Sequence, residues 1–293
     1  GSADGNWSLK INGLLQTRWT SVDYDTAATV PAGVTAGNTE WNFDNARTWV
    51  HFSGTIAGDY SYDIRHDINA ATLNGGNWAN GSMNLSDDWS LTMGTMKMAT
   101  SREALIGDQN QLALDRNVAF TVGQGVQLAY TGDDLRVMAQ LFNNTDATVS
   151  TAPASNNSSY SANIRAEFMV EGSGWGQFDE FTSADGGAVG TLIGLSYNTN
   201  DNGDSIAGAG PPVVNNTDGM DTWNIDAQMQ FGGSNLYVSY NSFSDSNTAG
   251  VADTDVNSLQ VMYGIFLDSE WELYGRYIDS DGSAAAALDG NVM

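Results

Sequence analysis

The stretch Trp7–Val22, WSLKINGLLQTRWTSV, decides the fold. Trp7, Leu9, Ile11, Gly13, Leu15, Thr17 and Trp19 share one phase of a period-two pattern. Ser8, Lys10, Asn12, Gln16 and Arg18 share the other, with Leu14 the exception. Successive side chains of a strand point to opposite faces, so the pattern reads as one strand with an apolar and a polar face. It is long beside the ~5–6 residues usual in soluble sheets. Trp7 and Trp19 stand twelve residues apart on the same face, roughly 40 Å of strand at about 3.3 Å per residue. Tilted by about 45°, such a strand rises roughly 28 Å, close to the ~25 Å apolar band between the aromatic girdles of a membrane barrel.

Working outward, the same alternation marks Ala46–Ile56, Tyr60–Ala70, Trp89–Thr95, Val118–Tyr130, Leu135–Asn143 and Tyr160–Val170. It continues through Val189–Tyr197, Trp223–Phe231, Leu236–Phe243, Leu259–Leu267 and Trp271–Asp279, twelve candidate strands with the first. Trp223 with Phe231, and Trp271 with Tyr277, bracket apolar stripes as Trp7 and Trp19 do. These six are the candidate aromatic girdle, facing outer-membrane lipid. No acid or base occupies the apolar phase of a well-defined strand; His66, between Ile64 and Ile68, is the titratable exception. The expected fold is therefore all-β, a transmembrane antiparallel up-and-down β-barrel forming a single domain over residues 1–293. Its expected location is a bacterial outer membrane. The closing stretch DSDGSAAAALDGNVM reads as a loop. A barrel usually ends on a strand with a terminal aromatic, so about three or four further strands are expected after Met293; a complete twelve-stranded barrel is the alternative.

Composition agrees with strands joined by turns: 33 Gly, 4 Pro and no Cys in 293 residues. No run of about 20 apolar residues is present for a membrane helix. The net charge of −25 argues against a nucleic-acid partner, which would need a basic face.

The ten bases carry more information. Lys10, Arg18, Arg47, Arg65, Arg136, Arg165 and Arg276 all fall in the polar phase of strands. Lys97, Arg102 and Arg116 lie together between strands. In a closed barrel the polar phase is the lumen, because Arg or Lys facing lipid at mid-depth costs about 2–4 kcal/mol. Two readings stay open. The arginines form a wall network with carboxylates such as Asp63, Asp67, Glu167, Asp226 and Glu272, or they form a ladder that biases which ions pass.

Connections come in two lengths. Ala57–Asp59, Thr131–Asp134, Gly232–Asn235 and Asp268–Glu270 are short; Asp23–Glu40, Ala71–Asp88, Asn144–Ser159, Asn198–Asp221 and Ser244–Asp255 are long. Strict alternation of the two lengths requires one extra crossing of the barrel height between residues 71 and 117. Lys97–Arg116 folding into the lumen is one candidate; an unrecognised strand near Trp78–Leu85 is the other.

The segment WSLTMGTMKMATSREALIGDQNQLALDRN, Trp89–Asn117, followed by GQGVQLAY, Gly123–Tyr130, resembles the phosphate-selective porin O/P family. A strand ending Gly-x-x-Lys leads there to a loop with an acidic residue and then an Arg. Gly94, Lys97, Glu103 and Arg116 match. The resemblance implies sixteen strands in the full protein, twelve or thirteen of them here, and a homotrimer. It also implies a water-filled lumen passing small hydrophilic solutes or ions by diffusion. Arg18, Arg47, Arg65, Arg165 and Arg276 are then expected along one wall. Lys97 and Arg102 join them from the loop, and the loop carboxylates Glu103, Asp108 and Asp115 face them. Opposed rows of this kind would set up a transverse field. Phosphate-selecting members use pore lysines, whereas this chain has only Lys10 and Lys97 and is strongly acidic. Phosphate selectivity is therefore not implied.

Two other classes compete: a plugged structural scaffold in the outer membrane, and a soluble carbohydrate-binding β-domain using Trp41, Trp49 and Trp78 as stacking platforms. No enzymatic role is expected; His51 near Ser53 is a spacing common to any strand. No cofactor is expected. Asp201 and Asp204, and Asp279 and Asp281, resemble fragments of calcium loops but lack the downstream Glu, which leaves at most incidental Ca²⁺.

Overall fold

A computed structural model describes residues 1–23, 39–68, 77–113, 116–117, 122–143, 160–201, 217–247 and 254–282. Thirteen strands form one antiparallel sheet whose spatial order is the chain order. They are β1 Lys10–Asp23, β2 Thr39–Ile56, β3 Tyr60–Asp67, β4 Trp78–Asn84, β5 Trp89–Lys97, β6 Val122–Thr131 and β7 Leu135–Asn143. β8 Tyr160–Glu171, β9 Val189–Asp201, β10 Thr217–Phe231, β11 Ser234–Asn247, β12 Thr254–Phe266 and β13 Glu272–Gly282 complete the sheet. A four-residue helix α1, Arg102–Leu105, and two 3-10 turns, Asp108–Asn110 and Trp175–Phe178, lie between strands.

The polarity is inside out. On the outer face Leu15, Trp19, Ile164, Phe168, Leu195, Trp223 and Ile225 are all exposed. On the inner face Arg165, Glu167, Asn224, Asp226, Gln228 and Gln260 are buried. β8 shows the alternation plainly: Tyr160, Ile164 and Phe168 point out, while Ser161, Asn163, Arg165 and Glu167 point in. A soluble sheet would bury the apolar face. The carbohydrate-binding reading fails on the same ground: Trp41 is exposed on the outer face, whereas Trp49 is buried inside.

The sheet curls. β2 and β12 are ten steps apart in strand order, roughly 48 Å in a flat sheet at about 4.8 Å per step. One short segment reaches both. Asp108 pairs with Arg47 of β2 and Arg65 of β3, while Glu103 accepts a hydrogen bond from Gln260 of β12. The wall therefore wraps around that segment.

Two expectations change. The extra crossing is β4, within the expected loop Ala71–Asp88. Of its outward positions Ala79, Gly81 and Met83, the first two are small, which thins the apolar phase. Asp279-Ser280-Asp281-Gly282 belongs to β13 rather than a turn, and Asp279 and Asp281 are exposed along the strand rather than converging on a cation. Asp201 ends β9; Asp204 and Asp115 lie outside the described residues. Among the described residues no group of three or more acids or histidines has the geometry for a metal ion. His66 keeps its expected place in the apolar phase: it lies on the exposed outer face with its Nδ1 3.0 Å from the Asn77 side-chain oxygen.

Connections alternate as two sets. The end carrying Ala57–Asp59, Leu85–Asp88, Gly132–Asp134 and Gly232–Gly233 has short turns, except for the β8–β9 connection, residues 172–188. Long connections occupy the opposite end. The outward polarity has a direct test. Leu195, at the centre of β9, is exposed on the apolar face. Leu195→Arg should lower folding stability in lipid vesicles by about 2–4 kcal/mol, measured by denaturant titration. A neutral result would show that this face does not meet hydrocarbon.

Candidate functional site

Residues 98–113 leave the end of β5 and enter the space enclosed by the wall, where residues 116–117 also lie. Gly94 starts the departure: its φ is +124°, and a Cβ there would collide with the Ala79 carbonyl oxygen of β4. Ser101 caps α1 by accepting from the Ala104 N–H at 3.0 Å. The exit from this turn is held by donors. Lys97 Nζ donates to Ala104 O at 3.1 Å and Ile106 O at 3.4 Å. Arg116 Nε donates to Glu103 O at 3.0 Å and its Nη2 to Ile106 O at 2.9 Å. Gln111 Nε2 reaches the Glu103 and Ile106 carbonyls as well. Cations favour the carbonyl end of a helical turn for electrostatic reasons. The Glu103 side chain accepts from the Asn117 N–H at 3.1 Å and from Gln260 at 3.3 Å. Gly94, Lys97, Glu103 and Arg116 thus shape and seat the inserted segment.

Asp108 is the segment's charged contact with β2 and β3. Its carboxylate lies 2.7 Å from Arg116, 2.6 Å from Arg65 and 3.6 Å from Arg47. Burial raises its pKa; Arg116 and Arg65 more than offset this and hold the carboxyl at about 2. Glu103 differs: burial dominates and pushes its pKa up, despite hydrogen bonds from Gln260 and Asn117. Arg65 is stacked between two indoles, 4.6 Å from the Trp49 ring and 4.6 Å from the Trp78 ring. That geometry suits a guanidinium and fixes its plane. Trp78 also donates to Asp63, which lies 2.9 Å from His51 Nε2.

A second cluster holds the other flank. Arg165 donates to Glu167 at 2.9 Å and Asp226 at 2.8 Å. Gly194 makes room for it, since a Cβ there would strike both Arg165 and Asp226. The Arg102 backbone N–H donates to Asp226 at 2.8 Å, and its guanidinium meets Glu167, Gln228 and the Phe178 carbonyl. Arg136 pairs with Glu167 and stacks 4.6 Å from the Trp175 ring.

The expected single row of arginines facing loop carboxylates is therefore divided. Arg47 and Arg65 do meet Asp108. Arg165 pairs with wall carboxylates two strands apart instead, because Glu167 and Asp226 share its inner face. Arg18 pairs with Asp44 at 2.9 Å, and Arg276 on β13 acts electrostatically on Glu103. Arg102 points to the wall and the β8–β9 connection, away from open water. The girdle residues Trp7, Trp19, Trp223, Phe231, Trp271 and Tyr277 are all exposed on the outside.

Open space remains beside the cluster. A cavity of about 710 Å³ is bounded by His51, Ser53, Asp63, Arg65, Trp78 and Lys97, among others. A smaller one of about 390 Å³ lies between Arg136, Met138 and the segment at Leu105–Gly107.

Solved structures share this architecture. OmpT of Vibrio cholerae aligns with a TM-score of 0.56 at 8% identity, covering 98% of this chain and 79% of that one. An anion-selective porin from Comamonas acidovorans aligns with a TM-score of 0.60 at 14% identity, covering 97% and 81%. No curated protein matches by sequence. A family model described as phosphate-selective porin O and P matches residues 24–277. With an apolar exterior, a polar lumen and an inserted segment built on the Gly94–Arg116 motif, the chain belongs to the phosphate-selective porin O and P family and is an outer-membrane porin of bacteria.

Proposed function

We propose that small hydrophilic solutes diffuse past the contact between Asp108 and the wall, and that this point modestly favours anions. The carrying observation is the charge balance there: Arg47, Arg65 and Arg116 converge on one carboxylate. The local potential is then positive although the chain is acidic, and low-dielectric walls focus it on passing ions. Phosphate selection is not part of this reading, because Lys97 and Arg116 donate to backbone carbonyls of the segment. The cavity beside the cluster favours a channel over a plugged scaffold. Lipid acyl chains cover the outward apolar band. The same reading extends to a homotrimer, on the family resemblance; light scattering of the detergent-solubilised protein should give three chains per particle, and a monomer mass would reject it.

Arg65 gives the sharper test. Arg65→Gln should lower the chloride-to-potassium permeability ratio several-fold, read from the reversal potential across a salt gradient. An unchanged ratio, and unchanged conductance with Arg47 also neutralised, would remove these arginines from selectivity.

The contact also predicts a pH response. A carboxyl held below its ordinary pKa stabilises the fold above that ordinary value, and the stabilisation is lost as pH falls through the lowered one. Asp108 is held at about 2. The part of the conductance response that depends on Asp108, absent in Asp108→Asn, should therefore appear only towards pH ~2, well below the ordinary carboxylate range; Glu103, whose pKa burial raises, titrates separately. Widening near neutral pH that Asp108→Asn abolishes would contradict the assigned pairing.

A further inference from the structure

The β8–β9 connection breaks the rule of its end of the sheet. Every other connection described at that end is a short turn, whereas residues 172–188 enclose a 3-10 turn and two fully buried phenylalanines, Phe178 and Phe181. These rings do not face lipid. Phe178 packs with Met169 and Leu192. Phe181 packs with Tyr237 and Met262 of the wall and with Ile106 and Ala113 of the inserted segment, its ring centroid 4.7 Å from that of Tyr237. The two segments are also tied by polar contacts. The Phe181 N–H donates to Asn110 O at 3.1 Å, Asn110 Nδ2 donates to Asp179 O at 3.0 Å, and Arg102 donates to Phe178 O.

The wall strands behind them are used up in the same way. Gln228 Nε2 donates to Glu180 O at 2.6 Å, and Gln230 Nε2 to Gln177 O at 3.0 Å and Thr182 O at 3.2 Å. Thr182 donates to Glu272 at 2.9 Å, Asn117 Nδ2 donates to Ser258 at 3.0 Å, and Gln260 donates to Glu103. Inner-face polar residues of β8–β12 are consequently buried: Glu167, Ser196, Asp226, Gln228, Ser239, Ser258 and Gln260. Across the lumen, six inner-face residues of β2–β6 keep partial exposure beside buried Trp49, Arg65 and Thr92: His51, Ser53, Asp63, Asn80, Ser82 and Gln127. Those six line the larger cavity.

We propose that residues 172–188 are a second lumen insert, entering from the short-turn mouth, that carries the constriction segment and seals the β8–β12 half. Solutes then pass along the β2–β6 side alone. The proposal rests on the diffusion reading above and adds where the path runs and what holds it there. Phe181 is a positioning residue: it meets no solute and acts through Ile106.

The chain has no cysteine, so thiol labelling starts from a silent background. Four near-isosteric variants of the full chain divide the lumen: Ser53→Cys and Ser82→Cys on the proposed path, Ser239→Cys and Ser258→Cys on the sealed side. Each is reconstituted and exposed to a charged methanethiosulfonate, with labelling read by mass and current read in a planar bilayer. The expected result is rapid labelling and loss of current for the first two, and neither for the second two. Replacing residues 173–187 by a short turn should then raise the conductance and make Ser239→Cys reactive. Equal labelling of Ser53→Cys and Ser239→Cys in the intact chain would overturn the proposal, whatever the shortened variant does. So would a shortened variant that inserts with unchanged conductance and a silent Ser239→Cys. Absence of current in the unmodified protein would reject diffusion instead, leaving the labelling contrast to judge the sealed half.

Discussion

A peptide group inside hydrocarbon has no water to bond, so every N–H and C=O of a spanning segment must find its partner in the protein. Strands meet this demand only by pairing with neighbours. Here thirteen do so in unbroken chain order, each antiparallel to the next. Once pairing is settled, the period of two leaves each strand one choice, which phase meets lipid. A guanidinium turned outward at mid-depth costs about 2–4 kcal/mol. Lumen-facing cations follow from that, and so does their need for partners within the lumen.

The partners come in two arrangements. On the β8–β10 flank, Arg165, Glu167 and Asp226 lie on the wall itself and are buried nearly completely. Breaking one buried member of such a network leaves an uncompensated charge, so the flank is rigid. On the β2–β3 flank, Arg47 and Arg65 depend on a carboxylate delivered by the inserted segment, with Arg65 further clamped by two tryptophans. One flank anchors the insert; the other sets Arg65, itself buried, at the edge of the larger cavity. The family motif serves both roles through the insert: Gly94, Lys97 and Arg116 make its fold, Arg116 also pairs with Asp108, and Glu103 bonds Gln260 of the wall.

Much of this was legible in the residues. The alternation from Trp7 to Trp19 and the confinement of bases to one phase report the side-chain period and the lipid penalty, both local rules. β4 gives a weaker signal: Ala79 and Gly81 thin its lipid-facing stripe to Met83, so the residues alone do not separate it from the inserted segment as the extra crossing. The β8–β9 insert escaped because Trp175, Phe178 and Phe181 have no strand period, and nothing local says what they pack on. The division of the arginines was hidden for a related reason: Arg165 and Asp226 are joined by strand order, across 61 positions of sequence. Gly194, a bare inner-face position flanked by Arg165 and Asp226, was the available clue.

The link between Glu103 and Gln260 spans 157 positions. Contacts of such separation form late, since the chain between them must already be organised before they close. The insert meets β2 and β3 early, but its remaining supports arrive only with β8, β10 and β12. By contact order, the seating of the insert against β12 is expected after its contacts with β2 and β3.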